Sequence, residues 1–308
     1  MKRLYLYLKW RISPMQTELK AQILDSWNAY FKYDPTDAGS LDRKFFKNLF
    51  IKPMDTITNG KAYSLMGRRA TKFLYAQYEK NLAWILSAAP GEGDQLVKLL
   101  DRQKLECKKL GIERVYYSNF SPGYFYPGIE KKKYPEVFDA LRESGFKEDS
   151  IAISMEAEIG EHFYVQIKDE RIEITNLKSD ESERFLAFIE KNFPADCFYR
   201  ASGVINEGNL QQITVAKVNG EFAGYAMYAA GEGPMEFAPG ERFGCFEVSE
   251  ANRSMGIGSK LLVYTLNSMK ANGIRHAYFL WTTERASRLY SRYGFRVTRE
   301  FSIMVLDL

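Results

Sequence analysis

The stretch from Arg242 to Leu262, RFGCFEVSEANRSMGIGSKLL, constrains this chain more than any other. It opens as an apolar, strand-like run, breaks at Arg253-Ser254-Met255-Gly256-Ile257-Gly258, and continues as a helix with Leu261, Leu262, Thr265, Leu266 and Met269 on one stripe. A strand, a loop and a helix in that order let the stripe pack inward while the first helical turn stays open. Such a turn carries unpaired N–H groups and the positive end of the helix dipole, which suits an anion. Gly256 and Gly258 bring no Cβ atoms to hold a diphosphate off the backbone, and Arg253 adds a fixed charge. A Walker A loop is excluded, because it needs Gly-Lys-[Ser/Thr] and the order here is Gly258-Ser259-Lys260. A dinucleotide fingerprint is weak, since Leu261 stands where its third glycine belongs.

A second motif follows at the right distance. Ala271-Asn272-Gly273 stops the helix, His276 to Trp281 has the pattern of a short buried strand, and Ala286-Ser287-Arg288-Leu289-Tyr290-Ser291-Arg292-Tyr293-Gly294-Phe295 forms a helix closed by glycine and an aromatic. Together the pattern Arg-x-x-Gly-x-Gly after a strand and Ala-x-x-Leu-Tyr-x-x-x-Gly-Phe resemble the acetyl-CoA site of the GNAT superfamily of N-acetyltransferases. That resemblance implies an acetyl-CoA-dependent transfer to an amine, with acetyl-CoA as acyl-donor substrate. It places the diphosphate on the amides of Met255, Gly256, Ile257, Gly258, Ser259 and Lys260, beside Arg253 and Ser254, and the pantetheine along Phe246 to Val248. By the same resemblance Val248 faces the acetyl group and Tyr290 points at the CoA sulfur. Where the family commonly has a CoA-contacting asparagine this chain has Thr283, whose hydroxyl keeps one hydrogen bond and not the amide's paired donor and acceptor.

The remaining chemistry is read from residue types. A phenol with a pKa near 10 is protonated at neutral pH and can give its proton to a departing thiolate, which makes Tyr290 the candidate acid. Tyr293 stands on a different helical face. Glu247 is the candidate general base, with Glu241 and a chain of waters as alternatives. The acidic stretch with Glu232, Glu236 and Glu241 would attract a cationic amine, but the amine itself is not specified by these residues.

The same grammar occurs twice. Gly91 and Gly93 correspond to Gly256 and Gly258, Gly111-Ile112 to Gly273-Ile274, and Gly145-Phe146 to Gly294-Phe295, with an aromatic, proline-rich insertion from Ser121 to Gly128 in the first copy. Such an insertion is also seen in N-terminal halves of tandem acetyltransferases. The first copy has Ala88 for Arg253, acidic Glu92 and Asp94 in its loop, and Leu141 for Tyr290, so it is expected to repel CoA and to serve as a structural partner. The expected fold is α/β (α+β): two tandem GNAT-like domains over residues 1–165 and 166–308, each a mixed, mostly antiparallel twisted sheet flanked by helices, the second catalytic. Strands are expected at Met1–Trp10, Ala62–Met66, Thr71–Tyr78, Leu82–Ala88, Ile151–Ile159, Arg171–Thr175, Gln212–Val218 and Phe222–Ala229, with a hairpin turn at Asn219-Gly220. Helices are expected at Gln16–Phe31, Asp42–Phe50, Leu96–Leu110 and Ser179–Asn192, and Phe198–Ile205 as irregular.

Composition bounds the rest. A length of 308 residues fits two domains, and a net charge of +4 gives no argument for nucleic acid. Three widely spaced cysteines and two histidines, His162 and His276, supply neither a disulfide framework nor a metal site, so no metal and a reducing, cytoplasmic setting are expected. No run is long and apolar enough to span a membrane. A non-catalytic CoA-binding or scaffold protein is the alternative to the transferase.

Overall fold

The computed structural model describes residues 61–66, 73–79, 81–89, 95–119, 127–160, 170–229 and 242–308. The expected strand at 1–10, the helices at 16–31 and 42–50, the first-copy loop at Glu92 and Asp94, most of the insertion, and the acidic stretch with Glu232, Glu236 and Glu241 lie outside these residues. The described chain runs β1 (Lys61–Met66), β2 (Phe73–Glu79), β3 (Leu82–Ala89), α1 (Gln95–Lys109), β4 (Arg114–Tyr117), α2 (Pro135–Glu143), β5 (Lys147–Glu158), β6 (Ile172–Asn176), α3 (Ser182–Asn192), α4 (Ala195–Asn206), β7 (Ile213–Val218), β8 (Glu221–Ala229), β9 (Arg242–Val248), α5 (Ile257–Ala271), β10 (His276–Thr282), α6 (Glu284–Ser291) and β11 (Arg296–Asp307).

All the described strands join one eleven-stranded sheet in the order β1-β2-β3-β4-β11-β5-β10-β9-β8-β7-β6. It is mixed and mostly antiparallel. The parallel neighbours are β3 with β4 and β9 with β10. Read inward from β1 and from β7, the order is the same path for the two copies until the centre, where β5 and β11 change places; β6 lies outside β7 with no counterpart among the described residues. β5, from the first copy, pairs antiparallel with β10, and β11, from the second, pairs antiparallel with β4. The two long strands also pair with each other from Arg296↔Glu156 to Val305↔Lys147.

Local sequence accounts for the turns that allow this. Asn219 and Gly220 have φ of 51° and 83°, the pair of left-handed residues a two-residue hairpin with the sheet's twist requires. Both copies close their helices alike: Ile112 N–H donates to Cys107 O and Ile274 N–H to Met269 O, across left-handed Gly111 and Gly273. After α2 and α6 the same bond recurs, Phe146 N–H to Leu141 O and Phe295 N–H to Tyr290 O. The correspondence of Leu141 with Tyr290 is therefore geometric as well as sequential.

Helix α5 buries Ile257, Leu261, Leu262, Thr265, Leu266 and Met269, the face its spacing predicts. On that face of the sheet α5 and α6 cover a core that includes Ile153, Met155 and Ala157 of β5 with Phe243, Phe279, Tyr290 and Phe295. The opposite face carries α3 and α4 over Phe185, Ile189, Cys197, Ala201, Val215 and Tyr225. Here one expectation fails: the segment Phe198–Ile205 is not irregular but belongs to α4. Its aromatic, β-branched and glycine residues score poorly as helix formers. Pro194 starts the helix, and Cys197 and Ala201, four apart, bury against the sheet, so packing overrides propensity.

Polar locks fasten the exchanged strands. Glu156 on β5 accepts from Arg296 Nη2 at 3.0 Å and lies 3.4 Å from His276 Nε2. Arg299 on β11, buried and resting over the Phe301 ring, binds Glu130 through Nε at 2.9 Å and Nη2 at 2.5 Å. Ser302 Oγ donates to Glu148 at 2.6 Å.

Candidate active site

β9 and β10 run parallel yet share a single register pair among the described residues, Arg242 with Tyr278. The equivalent pair β3 and β4 holds four. Beyond Arg242, Phe246, Glu247 and Val248 pair on their other side only, with Ala226, Tyr225 and Gly224 of β8. The sheet therefore opens into a wedge, and the facing edge of β9 offers backbone N–H and C=O groups to an extended, amide-rich ligand.

The turn after β9 brings the helix start to the mouth of this wedge. Ser249 anchors it, its N–H at 2.9 Å and its Oγ at 3.1 Å donating to Ala223 O, while Asn252 Nδ2 donates to Ser249 Oγ at 2.9 Å. Ser254 and Gly256 both have positive φ, 68° and 74°, on either side of Met255. A serine in that region is uncommon and marks a backbone held by its surroundings. α5 then begins with no side-chain cap, and its first intrahelical bond runs from Lys260 N–H to Gly256 O, so the N–H groups before it have no intrahelical partner. Arg253 is exposed beside them, its Nε 3.4 Å from Val248 O.

The backbone makes different demands at the two glycines. A Cβ on Gly256 would meet open space, so that residue is required for its left-handed φ. A Cβ on Gly258 would lie 3.4 Å from Leu289 and 3.6 Å from Phe246, ordinary packing distances, so the protein's own packing does not demand a glycine there. Ser259 and Lys260 continue the same turn, half-buried.

Tyr290 sits inside this wall. It is 5% exposed, and its ring centroid lies 4.5 Å from Phe279, 5.6 Å from Phe295, 5.7 Å from Phe246 and 6.1 Å from Phe243. Burial, and then the nearby Glu247 and Cys245, push its phenol well above the ordinary tyrosine range, so it stays protonated. Tyr225 is raised in the same way, by burial first and then by Cys245, Cys197 and Glu247. Glu247 stands directly opposite Tyr225 in the ladder. That these groups act on one another was not foreseen from the sequence, in which Cys197 and Cys245 are far apart. Only the alternation of β9, which puts Cys245 and Glu247 on one face, hints at it.

Thr283 is the N-cap of α6, and its Oγ1 accepts from Ala286 N–H at 3.3 Å. Among the described residues no group of three or more His, Cys, Asp or Glu side chains is placed to hold a metal, and no helix is long and apolar enough to cross a membrane.

Residues 209–297 match the family model of the acetyltransferase (GNAT) domain. No curated protein matches the chain in sequence. Among solved structures, the glucosamine N-acetyltransferase region of a fungal multi-domain β-N-acetylglucosaminidase superposes with a TM-score of 0.73 at 15% identity, over 94% of this chain and 37% of that one. The chain thus spans little more than a third of that protein. A tandem GNAT protein from the clavulanic acid biosynthesis pathway superposes at 0.64 with 12% identity, over 94% of this chain and 95% of that one. An acetyltransferase of the GNAT family from Colwellia psychrerythraea superposes at 0.54 with 14% identity, over 94% and 96% of the two chains. At these identities the likeness is one of fold. The wedge, the open helix start and Tyr290 all fall within the stretch that the family model matches, so residues 209–297 match a GNAT acetyltransferase domain within a fold similar to that of a tandem GNAT protein.

Proposed function

We propose that the second half transfers an acetyl group from acetyl-CoA to a primary amine of a small molecule or peptide, by direct attack in a ternary complex. The observation that carries this reading is the wedge between β9 and β10 with the uncapped start of α5 at its mouth. The free edge at Phe246 to Val248 pairs with the pantetheine amides. Amides from Met255 to Ser259 take the diphosphate, the Lys260 N–H being donated to Gly256 O, with Arg253 supplying charge and Ser254 shaping the turn. Glu247 accepts the amine's proton, directly or through water, and Tyr290 gives its proton to the departing thiolate. The first half, with Leu141 at the position of Tyr290, has no such proton to give and is assigned no catalytic role.

The test is a thermal shift followed by turnover. Acetyl-CoA should raise Tm, and Arg253→Glu should abolish the rise while leaving the Tm of the free protein unchanged; a rise that survives the charge reversal means the diphosphate lies elsewhere. Tyr290→Phe should lower kcat by about 100-fold, within the usual range for a general acid, with little change in acetyl-CoA affinity. A second reading, a CoA-binding protein without turnover, draws on the deep burial of Tyr290. Thiol release with a panel of amines separates the two: none above background with any amine, despite a normal acetyl-CoA shift, favours the second.

A further inference from the structure

The strand beneath the proposed acid does not belong to the half that carries it. β5, from the first copy, fills the place between β10 and β11, and α6 packs across it. Within β5, Met155 is wholly buried and stands in register with Phe279 on one side and Val297 on the other. It shares one apolar core with Phe279, Tyr290 and Phe295. The Phe279 ring is also the one whose centroid comes nearest that of Tyr290. The strand cannot slide beneath them. Ser154 Oγ donates to Leu280 O at 2.8 Å in a buried bond, and Glu156 holds Arg296 and His276 on the other face.

We infer that Met155 is a positioning residue for the acetyl-transfer site: through Phe279 and the core beneath α6 it fixes where the Tyr290 hydroxyl stands, so the first half, with no catalytic residue of its own, helps to place the acid of the second. This rests on the reading that Tyr290 is the acid. A long, unbranched side chain suits the irregular gap under a cluster of rings. Shortening it leaves a void into which the neighbouring rings relax, and a misplaced donor slows proton transfer without disturbing the diphosphate site at the other end of the wedge.

The experiment is a double-mutant cycle in the full chain, with kcat and the acetyl-CoA KM measured by thiol release with the best amine of the panel. Met155→Ala should lower kcat by about tenfold, a fraction of what a misplacement of about 1 Å can cost, and leave KM within about twofold. Met155→Leu should restore most of the loss. In the Tyr290→Phe background Met155→Ala should then cost almost nothing, because the group it positions is gone. Equal losses in both backgrounds, or a folded Met155→Ala protein with normal kcat, overturn the inference. If Tyr290→Phe alone leaves kcat unchanged, it is the reading of Tyr290 that has failed, and the inference falls with it. A second readout needs no amine: the Tyr290 ring signals, assigned as the tyrosine NMR signals missing in Tyr290→Phe, should change chemical shift in Met155→Ala while those of tyrosines outside this core do not. Unchanged Tyr290 signals count against the proposal. Should Met155→Ala not fold, Ile153→Val makes a smaller deletion in the same core and is read the same way.

Discussion

At the scale of single residues, Tyr290 sets the strongest constraint on chemistry. Its environment keeps the phenol neutral, because burial penalises the phenolate and Glu247 and Cys245 add to the penalty. The direction of that shift decides a pH profile. The donor form persists through the whole neutral and mildly alkaline range, so turnover should show no alkaline decline due to Tyr290 below about pH 10. A decline centred near pH 8 or 9 that disappears in Tyr290→Phe would contradict this. The same shift has a stability sign. The native state holds a proton that the unfolded chain releases, so stability declines only as pH rises past about 10. The position of Tyr290, one turn before Gly294-Phe295, was legible in the sequence. Its surroundings were not, because Phe243, Phe246 and Phe279 come from two other strands.

At the scale of elements, α6 is a short helix that depends on its cap. Thr283 Oγ1 is engaged with Ala286 N–H, so Thr283→Ala should cost about 1 kcal/mol of stability, read as a lower Tm or denaturant midpoint. The cap uses Oγ1 as an acceptor and leaves its O–H able to donate, so the variant also reads CoA binding: with capping as its sole role the acetyl-CoA thermal shift should be nearly unchanged, and a large loss of that shift would return Thr283 to the CoA site. The hairpin at Asn219-Gly220 and the stripe of α5 follow local rules closely and could be read in advance. α4 could not. Its helical state depends on burying Cys197 and Ala201 against a sheet that no local window contains. The same holds for the neighbours of Gly258, because Leu289 and Phe246 reach it from distant parts of the chain.

At the scale of the whole molecule, the exchange of β5 and β11 makes the two halves interdependent. Each long strand is paired along both edges, and each lies next to the parallel strand of the other copy. A protease site inserted in the exposed turn at Glu170-Arg171 and cut after folding should therefore leave two fragments that co-elute under native conditions and still show the acetyl-CoA thermal shift. Fragments that separate in native buffer would mean the exchange contributes little to holding the halves together. By itself the sequence determined the repeat, the strand-loop-helix that resembles a CoA site, the inequality of its two copies, and the tyrosine of the second, because each is written in neighbouring residues and obeys short-range backbone rules. Only the tertiary structure decided that β9 and β10 part after one register pair, that Glu247 stands opposite Tyr225, and that the core under Tyr290 is completed by the other half. Those depend on which strands become neighbours. Pairing across more than a hundred residues is settled by the burial of shared apolar faces, and the order of residues along the chain does not record it.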